Sequence, residues 1–260
     1  MDGAGRESEA RFAAYVDGLA DVLGHADRAS PQMDYGTGLL MPGERKSVEP
    51  IASMVAPGRV AAAHQSLLHF VGQSGWSDEA MLTKVRELAA PAFEAQGGVE
   101  AWIVDDTGFQ KKGSHSVGVA RQYCGRLGKT DNCQIAVTLS IANCHVSLPI
   151  AYRLYLPEDW ANDAERRKKA HVPGDVAFRT KPQIALAQIE AAAKAGVAPG
   201  TVLADAAYGS DGEFRAGVTA LKADLRGGRA VDAVALASRR GALAAQTLER
   251  PRTQAFAPAT

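Results

Sequence analysis

The sequence predicts a mixed α/β domain that follows a helical region. Apolar residues recur at helical spacing through most of residues 1–98, whereas short apolar runs of strand type begin at Ala101. The predicted order after that point is strand, strand pair, helix, strand and helix, which is typical of a mixed sheet. The chain has 260 residues, enough for one large domain or two small ones.

The N-terminal region is predicted to be mostly helical. Ser77 is a good N-cap for the last of its helices, and Pro91 should break or kink that helix near its end. The glycines in "QGG", at positions 96–98, mark the end of the region. The predicted helices cover residues 9–24, 57–72 and 77–93.

The predicted sheet lies within residues 99–220. The run "AWIVDD" is typical of a buried strand, and Thr107-Gly108 has the composition of a turn. The stretch "CQIAVTLSIANCHVSLPIAYRLYLP" alternates in polarity, which predicts an antiparallel pair with a turn near Asn143. A helix is predicted for "KPQIALAQIEAAAKAGV", and "TVLADAAYGSDGEFRAGV" predicts a short strand, an acid and another helix.

Residues 221–260 differ from the rest in composition. Alanine, arginine and glycine dominate them, and Phe256 is their only aromatic residue. This segment is predicted to be a poorly ordered tail.

The overall composition excludes few functions. The formal net charge is zero, so it offers no global argument for nucleic acid. Neither a signal peptide nor an apolar run of about 20 residues is found, which predicts a cytoplasmic protein without a membrane span. The three cysteines lack CxxC spacing; a zinc site with His115 and His145 is conceivable, but reduced thiols near strands are favoured.

Acids follow two of the predicted strands. Asp105 and Asp106 come after "AWIV", and Asp205 comes after "TVLA". If these strands are neighbours, the carboxylates converge at one edge of the sheet, where Mg²⁺ needs only one or two of them. The alternative is structural, since an aspartate at a strand end often only forms a turn.

Basic residues cluster in two places. The first basic segment, residues 111–129, interleaves cations with the aromatic residues Phe109 and Tyr123. A polyanionic substrate needs such groups beside a metal centre. The second basic segment, Arg166 to Lys169, is better explained as a solvated loop. The cations of the first basic segment are Lys111, Lys112, Arg121, Arg126 and Lys129.

The motifs "WIVDDTGFQKKG", "RQYCG" and "VLADAAYG" resemble those of DDE transposases of bacterial insertion sequences, and most closely the insertion-sequence 701 family. The resemblance covers residues 9–220. It implies an RNase H-like core that cuts DNA ends with two Mg²⁺ or Mn²⁺ ions, and assembly as a homodimer or larger complex on terminal-repeat and target DNA. Asp106 and Asp205 match the first two catalytic acids, which bind the metal; Asp105 is a neighbour or an alternative ligand. The cations of the first basic segment match DNA contacts.

The sequence departs from this family at its third acid. The resemblance implies a glutamate on a later helix; Glu213 comes too soon, and Glu249 lies in the predicted tail without a motif around it. We therefore hypothesise a frameshifted, truncated transposase with impaired cleavage. Two alternatives stay open. One is an inactive DNA-binding fragment that inhibits the full-length protein, and the other is a Mg²⁺-dependent aspartate phosphohydrolase.

Overall fold

The computed structural model describes residues 3–224 and the two-residue strand Ala235–Leu236. The chain divides into two compact units, Met1–Ala92 and Phe93–Thr260. The first unit is helical, and the second contains the sheet.

Five α-helices are described in the first unit, the last of which runs past its boundary. Two of them were not predicted, and they stand between the first two predicted helices. Both are short. A side chain at Gly38 in the first of these two helices would meet the buried Ile51 of the second at 2.3 Å, so glycine is needed where the two helices cross. The helices are α1 (Gly3–Ala20), α2 (Ala29–Leu40), α3 (Val48–Val55), α4 (Val60–Gly72) and α5 (Asp78–Ala95).

Helix α5 confirms one local prediction and corrects another. Ser77 Oγ accepts a hydrogen bond from the backbone nitrogen of Ala80 at 3.2 Å, as expected of an N-cap. Pro91 does not break the helix, which continues to Ala95, and the alternative of a kink stays a prediction. A proline removes a single backbone donor, and the turns around it continue the helix here.

Strands that precede helix α8 (Lys181–Lys194) and strands that follow it in the second unit form one mixed sheet. Its order is β2-β3-β1-β5-β6, and β4 also pairs with β3. Strand β1 is antiparallel to β3 and parallel to β5. This is the arrangement of an RNase H-like core, so the predicted fold class is confirmed. The strands are β1 (Ala101–Gln110), β2 (Ala120–Cys124), β3 (Lys129–Ala142), β4 (Ser147–Leu154), β5 (Thr201–Ala204) and β6 (Ala235–Leu236).

Strand β1 is longer than predicted. Asp105 and Asp106 pair with Thr138 and Val137 inside the strand, so they do not end it. Gly108 pairs with Ile135 and forms no turn. A side chain there would come within 2.6 Å of the Cys124 sulfur, so its glycine serves close packing of the sheet. The local composition suggested a turn, and pairing along β3 overrides it.

The predicted strand pair is confirmed as β3 and β4, joined at Asn143. The Asn143 side-chain oxygen accepts hydrogen bonds from the backbone nitrogens of His145 and Val146 at 2.9 and 3.0 Å. This arrangement is the Asx-type turn expected of asparagine. Strand β2, by contrast, was not predicted, because glycines on both sides of it obscure its short alternation.

Helices cover the sheet and complete the second unit. The predicted helix is confirmed as α8, and its start is capped by Thr180 and Gln183, which bond each other's backbone nitrogens. Gln188 of α8 donates to the backbone oxygen of Val137 in β3 at 3.1 Å and so joins helix to sheet. The helices are α6 (Glu158–Asn162), α7 (Ala164–Lys169), α8 (Lys181–Lys194), α9 (Ala206–Gly209) and α10 (Gly212–Asp224).

The predicted tail lies mostly outside the described residues. Within it, Ala235–Leu236 forms β6, parallel to β5. Among the helices that the structure describes, none has the length and apolar content of a membrane span.

Candidate active site

Asp106 is held by two partners that the sequence did not point to. Its Oδ2 lies 2.5 Å from the Lys181 ammonium at the start of α8, and both side chains are roughly three-quarters buried. Its Oδ1 accepts a hydrogen bond from the Tyr208 hydroxyl. Both oxygens of this carboxylate are therefore engaged, one by a cation and one by a neutral donor.

Asp205 lies at the end of β5 and caps α9. Its Oδ1 accepts hydrogen bonds from the backbone nitrogens of Ala207 and Tyr208, at 2.9 and 3.3 Å. Tyr208 thus bonds Asp205 through its backbone and Asp106 through its side chain. One buried tyrosine connects the two acids that the sequence analysis paired.

Asp105 and Asp106 point to opposite faces of the sheet, because side chains alternate along a strand. The parallel register pairs Val104 with Ala204, so Asp105 lies level with Asp205. Asp106 lies on the face that α8 covers, as its bond to Lys181 shows. The two adjacent acids therefore have different surroundings, a difference that their order in the sequence does not reveal.

The three carboxylates are close enough to affect one another. Burial raises the pKa of Asp105, and the negative charges of Asp106 and Asp205 raise it further. A hydrogen bond from the backbone nitrogen of Asp106, at 2.7 Å, acts in the opposite direction. Burial also raises the pKa of Tyr208, as do these acids, so its phenol stays protonated and donates to Asp106.

The carboxylates of the site would supply only part of the ligands of a metal ion. In the part of the chain that the structure describes, no group of three or more His, Cys, Asp or Glu residues could hold a metal. A complete protein cage is therefore not formed by these residues. Asp106 within β1 and Asp205 directly after β5 remain as two carboxylates, and one or two carboxylates are the number needed by an ion that, like Mg²⁺, keeps several waters and substrate oxygens as ligands.

The first basic segment follows β1 and covers a loop, β2, the turn after β2 and the first residue of β3. Lys111 and Lys112 begin the loop, and the Asn132 side chain holds it by bonds to the backbone oxygens of Lys111 and Gly113, both at 2.8 Å. Lys112 and Arg126 are exposed, and neither side chain bonds any described residue.

Two other cations of that segment already have an acidic neighbour. The Lys129 ammonium lies 3.6 Å from Asp131, and Arg121 also attracts that carboxylate. Both cations are exposed. The register of β2 with β3 places Arg121 on the face of the sheet that bears Asp105, opposite to Asp106. Arg121 is therefore solvent-facing but does not lie beside Asp106.

The second basic segment lies in helix α7, so the prediction of a loop is wrong. The prediction of solvent exposure is wrong for two of its four cations. Arg167 donates to the backbone oxygens of Ala161, Pro173 and Val176. Arg166 stacks over the Trp160 ring, 3.7 Å from its centre. Lys168 and Lys169 are exposed.

The cysteines do not gather at the site. All three are free thiols; Cys124 and Cys133 are buried neighbours in β2 and β3, and Cys144 is exposed in the turn after β3. Burial and the nearby Cys124 raise the pKa of Cys133 to about 11.

The chain belongs to the DDE superfamily endonucleases. The model of this family matches residues 18–255. The resemblance on which the sequence analysis depended is thus confirmed.

Among curated proteins, the chain is similar to a particular relative from Microchaete diplosiphon, the "Probable transposase for insertion sequence element IS701". The two are 33% identical over 170 residues, which is 65% of this chain and 40% of the relative. The chain thus spans less than half the length of the relative that it matches.

Proposed function

We propose that this chain acts on DNA as a transposase does, by metal-dependent cleavage of phosphodiester bonds and strand transfer. The observation that carries the proposal is the joint placement of Asp106 and Asp205, on neighbouring parallel strands and bonded to one tyrosine. The family match and the name of the relative supply the class of substrate. In bacteria, the DNA and therefore this activity lie in the cytoplasm.

Asp106 and Asp205 are the proposed ligands of Mg²⁺ or Mn²⁺. When bound, such ions make water or a 3′-hydroxyl a stronger nucleophile and stabilise the leaving oxygen. Tyr208 orients one oxygen of Asp106, and the backbone at the start of α9 orients one oxygen of Asp205. These bonds fix where each carboxylate presents its remaining lone pairs. Asp105 is the alternative ligand, since it lies level with Asp205.

The cations of the first basic segment are proposed to contact DNA phosphates. Lys112 and Arg126 support this best, because both are exposed and neither is bonded to a described residue. Lys111, Arg121 and Lys129 would add charge along the same part of the chain. DNA transposition joins two element ends, so we also propose a homodimer or a larger complex.

Cleavage by this chain is proposed to be slow or absent. In the described part of the chain, no third His, Cys, Asp or Glu completes a metal-holding group with Asp106 and Asp205, and Asp105 points to the opposite face from Asp106. Glu213 lies in the first turn of α10 and is exposed. Glu249 lies outside the described residues. Without a third ligand, the position of a second metal ion is poorly defined, and the chain would bind DNA better than it cuts it.

The experiment uses the DNA that flanks this chain's own gene. Binding and nicking of that DNA are compared with those of a random duplex of equal length, in Mg²⁺ and in Mn²⁺. We expect preferential binding and little nicking. If neither preference nor metal-dependent nicking is found, the proposed function is wrong. If nicking is found and Asp106→Asn abolishes it, the chain cleaves DNA. The proposal of slow or absent cleavage is then wrong, and the proposed function stands.

A matched pair of variants identifies the ligand on β1. Asp106→Asn and Asp105→Asn remove one charge each at adjacent positions, on opposite faces of the same strand. We expect Asp106→Asn to abolish the thermal stabilisation of the protein by Mn²⁺, and Asp105→Asn to preserve it. The reverse pattern would transfer the ligand role to Asp105.

An observation favours a second candidate function. Exposed cations, together with the lack of a three-residue metal group in the described part of the chain, fit a DNA-binding fragment that inhibits the full-length transposase. Mixing this chain with full-length transposase and measuring excision tests that role.

An aspartate phosphohydrolase is less well supported, because β1 continues into antiparallel pairing and no crossover helix follows it. An assay on small phosphate esters tests it.

The origin of residues 221–260 stays a prediction. The family match extends to residue 255 and so includes most of them. Sequencing the gene beyond its codon 210 and translating all frames would test the frameshift hypothesis. A later strand and a helical glutamate in another frame would support it, whereas their absence from every frame would contradict it.

A further inference from the structure

Lys181 stands in an unfavourable place for a cation. It is the first residue of α8, a helix of 14 residues whose N-terminus carries partial positive charge. The capping of that helix is already complete through Thr180 and Gln183, so Lys181 is not needed to start it. A lysine at this point requires a compensating negative charge.

Asp106 supplies that charge. The Lys181 ammonium lies 2.5 Å from Asp106 Oδ2 and also 5.7 Å from the centre of the Tyr155 ring. The Tyr208 hydroxyl occupies Oδ1 but is neutral, so Lys181 is the cation that balances Asp106. The pair is partly buried, where an unbalanced carboxylate would be costly.

A divalent cation at Asp106 cannot share it with Lys181 at this distance. A carboxylate oxygen has a second lone pair, so the bond from Tyr208 is compatible with metal on the same group. A metal ion on Oδ2 is not compatible with the ammonium there, because two cations at one carboxylate oxygen repel each other. Binding of the metal through Oδ2 therefore requires the lysine side chain to leave.

We propose that Lys181 is the resident counterion of Asp106, which a divalent cation must displace in order to bind through Oδ2. This inference rests on the proposed metal site and adds a competing group to it. The lysine stabilises the site without metal and lowers its affinity for metal. Its long side chain is partly exposed, so it can turn into solvent without rearrangement of α8.

The first test measures Mn²⁺ affinity by calorimetry, on the whole chain and without DNA. Lys181→Met should bind Mn²⁺ roughly two- to fivefold more tightly, in line with the coupling of a partly exposed ion pair. Lys181→Arg keeps the charge and should not tighten binding, and Asp106→Asn should abolish it. Unchanged or weaker binding by Lys181→Met would overturn the inference and leave the metal site standing. If neither the native chain nor Lys181→Met binds Mn²⁺, the metal site falls as well.

The second test needs no variant, which matters because Lys181→Met leaves Asp106 without its counterion and could impair folding. Acetylation of individual lysines is followed by peptide mass spectrometry with and without Mn²⁺. Lys181 should become several-fold more reactive when Mn²⁺ is present, whereas the exposed Lys112 should not change. Equal reactivity of Lys181 at saturating Mn²⁺ would show that the lysine stays in place, against the inference.

Discussion

The two basic segments resemble each other in composition and differ in what their cations contact. In the first, Lys112 and Arg126 face solvent and bond no described residue. In the second, Arg167 bonds four backbone oxygens and Arg166 covers a tryptophan. Two cations of the first segment are free of described partners, whereas two cations of the second are used for folding. A run of basic residues therefore does not by itself indicate a nucleic-acid site.

The largest expected effect comes from Arg167→Met, which leaves the backbone oxygens of Ala161, Pro173 and Val176 without this donor. Charged hydrogen bonds of this kind contribute substantially, so we expect the free energy of unfolding to fall by about 2–3 kcal/mol. Thermal or urea unfolding measures the change. The matched variant Arg126→Met should stay within about 0.5 kcal/mol of the native chain. If both variants lost the same unfolding free energy, the cations of the two segments would not differ in their contribution to folding.

The next effect concerns DNA. Replacing Arg121, Arg126 and Lys129 together by glutamine should weaken binding about tenfold, because fewer phosphates are neutralised. The slope of log affinity against log salt should fall by up to about 0.9 for each phosphate that the variant no longer neutralises. Filter binding across a salt series measures both quantities. The control replaces Lys168 and Lys169 by glutamine and should change the slope less. A larger change in the control would assign DNA binding to the second basic segment.

A smaller effect distinguishes arginine from lysine within the second segment. Arg166→Lys keeps the charge but loses the flat stacking on Trp160 and the bond to the Ser114 backbone oxygen at 2.7 Å. We expect a loss of roughly 1 kcal/mol in unfolding free energy. The matched change Lys129→Arg, on an exposed side chain, should be neutral. Stability unaffected by Arg166→Lys would mean that the stacking contributes little.

The last prediction concerns cysteine reactivity rather than stability, and it tests the packing of the sheet behind the first basic segment. Cys124 and Cys133 are buried there, and the pKa of Cys133 is raised to about 11, so its reactive thiolate is scarce at mildly alkaline pH. Cys144 is exposed. A thiol reagent should modify Cys144 in the folded chain and all three cysteines after denaturation. Rapid modification of Cys133 in the folded chain would contradict the described packing.

Local patterns in the sequence were sufficient for several elements. Helix α8, strand β5 and the turn at Asn143 were predicted because each has its signal within a short stretch: a helical period, an apolar run, or the point where an alternating stretch must turn. Asp105, Asp106 and Asp205 were found for the same reason, since each follows an apolar run directly. The family resemblance added roles that such patterns do not carry.

Only the tertiary structure revealed the partners of those acids. Lys181 follows Asp106 by 75 positions and Tyr208 follows it by 102, and no local pattern joins residues so far apart. A clue existed in each case: a lysine at a helix start, and a tyrosine inside the motif "LADAAYG". Neither clue names a partner, because pairing depends on which strands become neighbours.

The sequence by itself determined the class of fold and the candidate acids, because periodicity and short motifs are local properties. The tertiary structure decided that β1 continues through both of its acids, that Asp105 and Asp106 face opposite sides of the sheet, and that Lys181 balances Asp106. The physical reason is the same for each. Strand length, register and ion pairing depend on long-range contacts, and these are formed only when β1 lies between β3 and β5 with α8 across the sheet.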